Sequence, residues 1–167
     1  MLAYLFWHRP SAGTEDYERR LAAFHDRLRA DPPDGFVESA VFAVDVPWLG
    51  AGYEDWYVVE DWTALGVLNA AAVDEAHRRE HDDVAHQAAH GAGGVFLLRT
   101  GNLGLPDAGN ASWSGTEPNA PEAGEFALWQ RQMVLGPAPE YVVHTRDTGN
   151  VSRVFPPATK SGDHELS

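Results

Sequence analysis

Four runs of this chain carry apolar or aromatic side chains at both odd and even positions, and that pattern restricts the fold more than any other feature. Leu2 to His8 puts Leu2, Tyr4, Phe6 and His8 on one face of a strand and Ala3, Leu5 and Trp7 on the other. Phe36 to Val46 is a second strand, rich in valine, phenylalanine and alanine. Glu54 to Trp62 is a third, in which Trp56, Val58, Glu60 and Trp62 alternate with Asp55, Tyr57, Val59 and Asp61. Val95 to Thr100 is a short apolar fourth. A sheet with one side in water shows one polar face. These strands show none, so both sides of the sheet need cover.

Helical patterns separate the strands. Thr14 is a suitable N-cap, Glu15 and Asp16 suit a first turn, and Tyr17, Leu21, Phe24 and Leu28 form a narrow apolar stripe. Asp31-Pro-Pro-Asp-Gly35 ends that helix. Thr63 caps a second helical piece, Ala64 to Ala71, which leads into a histidine-rich stretch, Ala72 to Gly94. There Val73, His77, His81, Val84 and Ala88 share one side of a helix, and Arg79, Asp83, His86 and His90 lie largely on the other. Gly91, Gly93 and Gly94 supply a left-handed cap. The order β-α-β-β-α-β is the ferredoxin-like, split βαβ arrangement, an α+β fold. Two helices cover one face of its sheet, and a second copy of the chain is the simplest cover for the other. The expectation is a homodimer.

Residues 1–100 make up this unit. Residues 101–125, rich in glycine, proline and asparagine, read as an arm. Residues 126–146 read as a C-terminal β-hairpin extension, with strands at Phe126 to Leu135 and Tyr141 to Thr145, and residues 147–167 as a loose tail.

Composition excludes several classes of function. Net charge is −13, and Lys160 is the only lysine among 12 basic residues. Neither nucleic acid nor an anionic membrane is an expected partner, since both need concentrated positive charge. With no cysteine, disulfides and thiolate metal sites are ruled out. No apolar run approaches a membrane span, and Met1 to Arg9 lacks the basic start and long apolar core of a secretion signal. The expected location is the cytoplasm.

The strand–helix order and the histidine helix running into Gly-Ala-Gly-Gly-Val-Phe resemble the dimeric α+β barrel superfamily, which includes antibiotic-biosynthesis monooxygenase-like and stress-responsive barrel domains. The resemblance covers residues 1–100 and implies a small-molecule pocket between sheet and helices. It implies cofactor-free monooxygenase-like or isomerase-like chemistry on a hydrophobic compound, with no cofactor. His81 and His77 are the candidate catalytic groups, because an imidazole titrates near working pH and partial burial keeps it neutral. His8, Trp7, Trp56, Tyr57, Trp62, Trp129 and Arg131 are candidate pocket residues. Two other readings stand beside this one. The chain is a non-catalytic, ligand-binding or stress-associated scaffold, or a metal or haem protein held by His77 and His81, with His8 or Glu60 as a third metal ligand.

Overall fold

The computed structural model describes residues 1–74, 76–101, 104–119, 126–136, 138–146 and 149–155. In chain order the elements are β1 (Leu2–Pro10), α1 (Thr14–Ala30), β2 (Phe36–Val46), β3 (Gly50–Val59), α2 (Trp62–Val73), α3 (Arg78–Ala85), β4 (Ala88–Gly101), β5 (Ala108–Ser114), β6 (Phe126–Leu135), β7 (Tyr141–Thr145) and β8 (Val151–Arg153).

All strand pairings are antiparallel, and they close into one barrel in the order β1-β3-β2-β8-β5-β7-β6-β4, with β4 returning to β1. This corrects the expected fold class. The chain is not a ferredoxin-like unit with two helices on an open four-stranded sheet, and it needs no second copy to complete a dimeric α+β barrel. Its own strands β5 to β8 extend the sheet until it meets itself, so the face the helices leave bare becomes an interior. The premise for a homodimer goes with the open face. β6 and β7 continue the wall from β4. β5 lies within the stretch expected to be an arm, and β8 within the expected tail. Residues 102–103 and 120–125 of that arm, and 156–167 of that tail, lie outside the described residues.

The period of two sorts the side chains cleanly. Ala3, Leu5 and Trp7 of β1, Phe42 and Val44 of β2, Trp56 and Val58 of β3, Phe96 of β4, Trp129 of β6 and Val142 of β7 fill the interior. An eight-stranded barrel is just wide enough to be packed solid by such residues. The alternate positions, Leu2, Val41, Tyr53, Tyr57, Val59 and Val95, face outward and are buried under Tyr17, Leu21, Phe24 and Leu28 of α1, Leu68 of α2 and Val84 of α3. There are therefore two cores, one on each side of the same wall.

Closure at one point is narrow. β8 joins β2 through Phe42↔Arg153 and Ala43↔Ser152, and joins β5 through Ala108↔Ser152 and Gly109↔Val151. The Val154 N–H, donating to the Val41 carbonyl at 2.8 Å, extends this seam by one bond.

The histidine-rich stretch also departs from expectation. It is not one long helix: α2 ends at Val73, α3 starts after His77 and ends at Ala85, and β4 begins at Ala88. Trp62 likewise opens α2 rather than ending β3, because the Asp61 carboxylate accepts the Ala64 N–H at 2.9 Å and caps the helix there. Gly91 and Gly93 are strand residues, not a helix cap. Their missing side chains let the β1 rings lie against β4: a Cβ on Gly91 would sit 2.5 Å from Phe6 Cζ, and one on Gly93 would sit 2.9 Å from the Leu5 carbonyl oxygen and 3.0 Å from Tyr4 Oη. Gly93→Ala is expected to cost about 1–3 kcal/mol, a typical overpacking penalty. It should appear as a lower urea midpoint with an unchanged slope.

Candidate functional site

Two acids, Glu54 and Asp55, stand side by side on β3, so the strand alternation sends one to each face. Both are buried, at 0% and 3% exposure. A buried carboxylate must find donors, and each of these finds a different set.

Inside the barrel, Glu54 accepts three indole N–H bonds: Trp7 at 2.5 Å and Trp113 at 2.8 Å on Oε2, and Trp56 at 2.6 Å on Oε1. His144 Nε2 lies 3.6 Å from Oε1, with its ring 4.6 Å from that of Trp56. Glu54, Trp7, Trp56 and His144 are buried there, and Trp113 packs against the inner core while partly exposed.

Outside, Asp55 is the centre of a chain of hydrogen-bonding groups. His8 Nε2 lies 2.9 Å from Asp55 Oδ1, off the line of a straight hydrogen bond. Its other nitrogen, Nδ1, is paired with the Tyr17 hydroxyl. The Tyr57 hydroxyl donates to Asp55 Oδ2 at 3.0 Å. His25 Nε2 lies 3.8 Å from that oxygen, and His25 Nδ1 lies 2.8 Å from Ser39 Oγ. Burial by itself pushes Asp55 towards the neutral form, but the charge of His8 and the contacts with both histidines outweigh it and hold the carboxyl below its ordinary value. The phenols move the other way. Burial first, and then the charge of Asp55, raise Tyr17, Tyr57 and Tyr4 above the usual tyrosine value, so all three stay protonated donors.

This outer chain forms the floor of a cavity of about 550 Å³, within the range of small-molecule sites. β1 contributes Tyr4, Phe6 and His8; α1 contributes Tyr17 and Phe24; β3 contributes Asp55 and Tyr57. The roof is the side of α2 bearing Trp62, Leu65, Gly66, Asn69 and Val73, together with His81 and Val84 of α3. Trp62, Val73 and Met133 are exposed large apolar residues among the lining, 51%, 40% and 51% accessible, and mark its rim.

The residues singled out from the sequence divide between several places. His8, Tyr57, Trp62 and His81 line this cavity. Trp7, Trp56 and Trp129 belong to the barrel interior instead, where Trp56 and Trp129 meet edge to face at 5.4 Å. Arg131 ties β6 to the turn before β7, through Glu140 at 2.7 Å and the Ala138 carbonyl at 2.7 Å. His77 and His81 do not converge. His77 is buried with Nε2 2.9 Å from the Asp31 carbonyl, joining the end of α1 to the start of α3. His81 is partly exposed, packed edge-on to Phe24 with Nδ1 3.2 Å from Asp82. Among the described residues no group of three or more histidine or acidic side chains is placed to hold a metal ion, and no helix is long and apolar enough to cross a membrane.

Sequence reasoning missed Tyr17, His25, Ser39 and Glu54. A signal existed: His25 sits four residues beyond Leu21 on the apolar side of α1, and the Glu54-Asp55 pair lies inside an aromatic strand, where at least one acid must be buried. Compared with protein-family models, curated proteins and solved structures, the chain matches none.

Proposed function

We propose that the protein binds a hydrophobic small molecule in the cavity between β1, β3 and the helices, and moves a proton on it through the chain Tyr17–His8–Asp55. The observation that carries this reading is a histidine–carboxylate pair, almost wholly buried, that lines a largely apolar cavity of about 550 Å³. In this chain the Tyr17 hydroxyl donates to His8 Nδ1, and His8 Nε2 lies 2.9 Å from Asp55 Oδ1. The Tyr17 oxygen takes a proton from the bound molecule as its own hydroxyl proton passes to His8 Nδ1, which leaves the molecule as its conjugate base and His8 as imidazolium; the reverse transfer returns a proton from the Tyr17 hydroxyl to the molecule. Asp55 stabilises the charged ring, as an orienting carboxylate does in other relays. His81, at the mouth, is too loosely held to match that pre-organisation. No cofactor is required by this step.

Binding is tested with N-phenyl-1-naphthylamine, a neutral fluorophore that brightens in apolar sites. The expected result is saturation at one probe per chain, lost in Gly66→Trp. A Cβ at Gly66 meets nothing within 4 Å, so the indole is accommodated at the rim without backbone conflict. Replacing a helix-interior glycine also favours the fold of α2, so lost binding with a retained melting temperature locates the site. Proton transfer is tested by hydrogen–deuterium exchange at the acidic carbon of 2-tetralone. The expected acceleration disappears in Tyr17→Phe and His8→Gln, by roughly a hundredfold, the scale of general acid–base catalysis. A bound probe with exchange no faster than in buffer would leave a binding protein and refute the proton-transfer role.

A further inference from the structure

The cavity's charge pattern says more than its volume, and this inference rests on the binding reading above. We propose that the site selects for a lipophilic organic cation, an ammonium or similar group carried on an aromatic or aliphatic body, and discriminates against carboxylates. Among the described residues that line the cavity, Asp55 is the only carboxylate and there is neither arginine nor lysine. The ionisable rings beside Asp55 at the floor are His8 and His25, and the third imidazole of the site, His81, sits on the other side of the cavity against Asp82. With both rings neutral the floor carries one negative charge, and with one of them protonated it carries none. Only double protonation would make it attractive to an anion.

The walls point the same way. Tyr4, Phe6, Tyr17, Phe24, Tyr57 and Trp62 present aromatic rings to one space, and Tyr4 and Tyr57 lie nearly parallel with centroids 6.1 Å apart. Ring faces attract cations by their quadrupole, and more strongly where water is excluded. The phenol groups remain neutral donors because burial and Asp55 oppose their ionisation. At longer range, a chain of net charge −13 concentrates cations at its surface and repels anions.

The test is competition against bound N-phenyl-1-naphthylamine by three molecules of one skeleton: 2-naphthylmethylamine, 2-naphthylmethanol and 2-naphthoate, at pH 7. The expected order is ammonium tighter than alcohol by at least tenfold, with naphthoate weaker than alcohol by at least tenfold. Asp55→Asn should bring the ammonium down to the affinity of the alcohol. If that variant fails to fold, Phe24→Leu and Tyr4→Leu provide the second arm: each should cut the ammonium advantage by threefold or more while the alcohol changes less. Naphthoate binding as well as or better than the ammonium, with the fluorophore still bound, overturns the charge preference and leaves the pocket standing. Failure of the fluorophore and of all three competitors to bind removes the pocket, and this inference with it.

Discussion

Glu54→Ala is expected to remove about 4 kcal/mol of stability, the largest loss any single side chain of the inner core should give. Truncation leaves three indole N–H groups, on Trp7, Trp56 and Trp113, without the acceptor they now share. An unsatisfied buried donor costs about 1–3 kcal/mol, and a cavity adds to it. In a chain of this length 4 kcal/mol lowers the melting temperature by roughly 8–16 °C. Glu54→Gln is the sharper comparison. The amide keeps one acceptor oxygen but points its NH2 group at indoles that are themselves donors, so it should recover no more than half of the loss. Thermal melts followed by tryptophan fluorescence check both variants. A fall of less than about 2 °C in Glu54→Ala would mean that the three indole bonds hold nothing together.

The second large effect belongs to Asp55 on the opposite face. Asp55→Asn takes the charge from between His8 and His25, and breaking a buried pair in this way costs about 3 kcal/mol at pH 7. The variant should also change the pH dependence. The folded protein holds Asp55 below its ordinary value near 3.8, so between those two values the unfolded chain binds the extra proton. Stability therefore rises with pH through that window. Asp55 contributes fully above about pH 4, and its contribution is lost as the pH falls further. Urea midpoints measured from pH 7 down to pH 2.5 should drop more steeply in the wild type than in Asp55→Asn. Asp16, drawn down to about 2 by its bonds to Arg20 and Arg19 on the surface, is present in both proteins and cancels from the difference. Parallel acid limbs would show that Asp55 is not held ionised by its neighbours.

Much of the wall was legible in the sequence, because strand alternation is a local property. Leu2 to His8 and Phe36 to Val46 correspond closely to β1 and β2, and the apolar character of both faces signalled two cores. What the sequence could not convey was who supplies the second cover. A bare sheet face looks the same whether a partner or a later stretch of the chain fills it, and β5 and β8 carry weak signals: seven residues with glycine, asparagine and serine, and three residues before a proline. The histidine stretch misled for a different reason. Alanine, arginine and histidine continue a helical period indefinitely, and only tertiary pairing with β1 pulls Ala88 to Gly94 into a strand. The site was legible in half. His8, Tyr57, Trp62 and His81 were within reach, whereas His25 and Ser39 sit on separate elements and meet only through the fold.

The three residues of β8 give the barrel a weak link. Partial opening costs least where the fewest rungs must break, and here a handful of backbone bonds stands between solvent and the tryptophan-filled interior. Ring closure and interior packing are for that reason a single cooperative quantity: neither survives the loss of the other. The helix-covered cavity rests on β1, β3 and β4; in the ring, β2 alone separates β3 from that link, while β4 lies opposite it. Opening at the seam therefore reaches the cavity floor through β2 and β3 before it reaches β1 and β4.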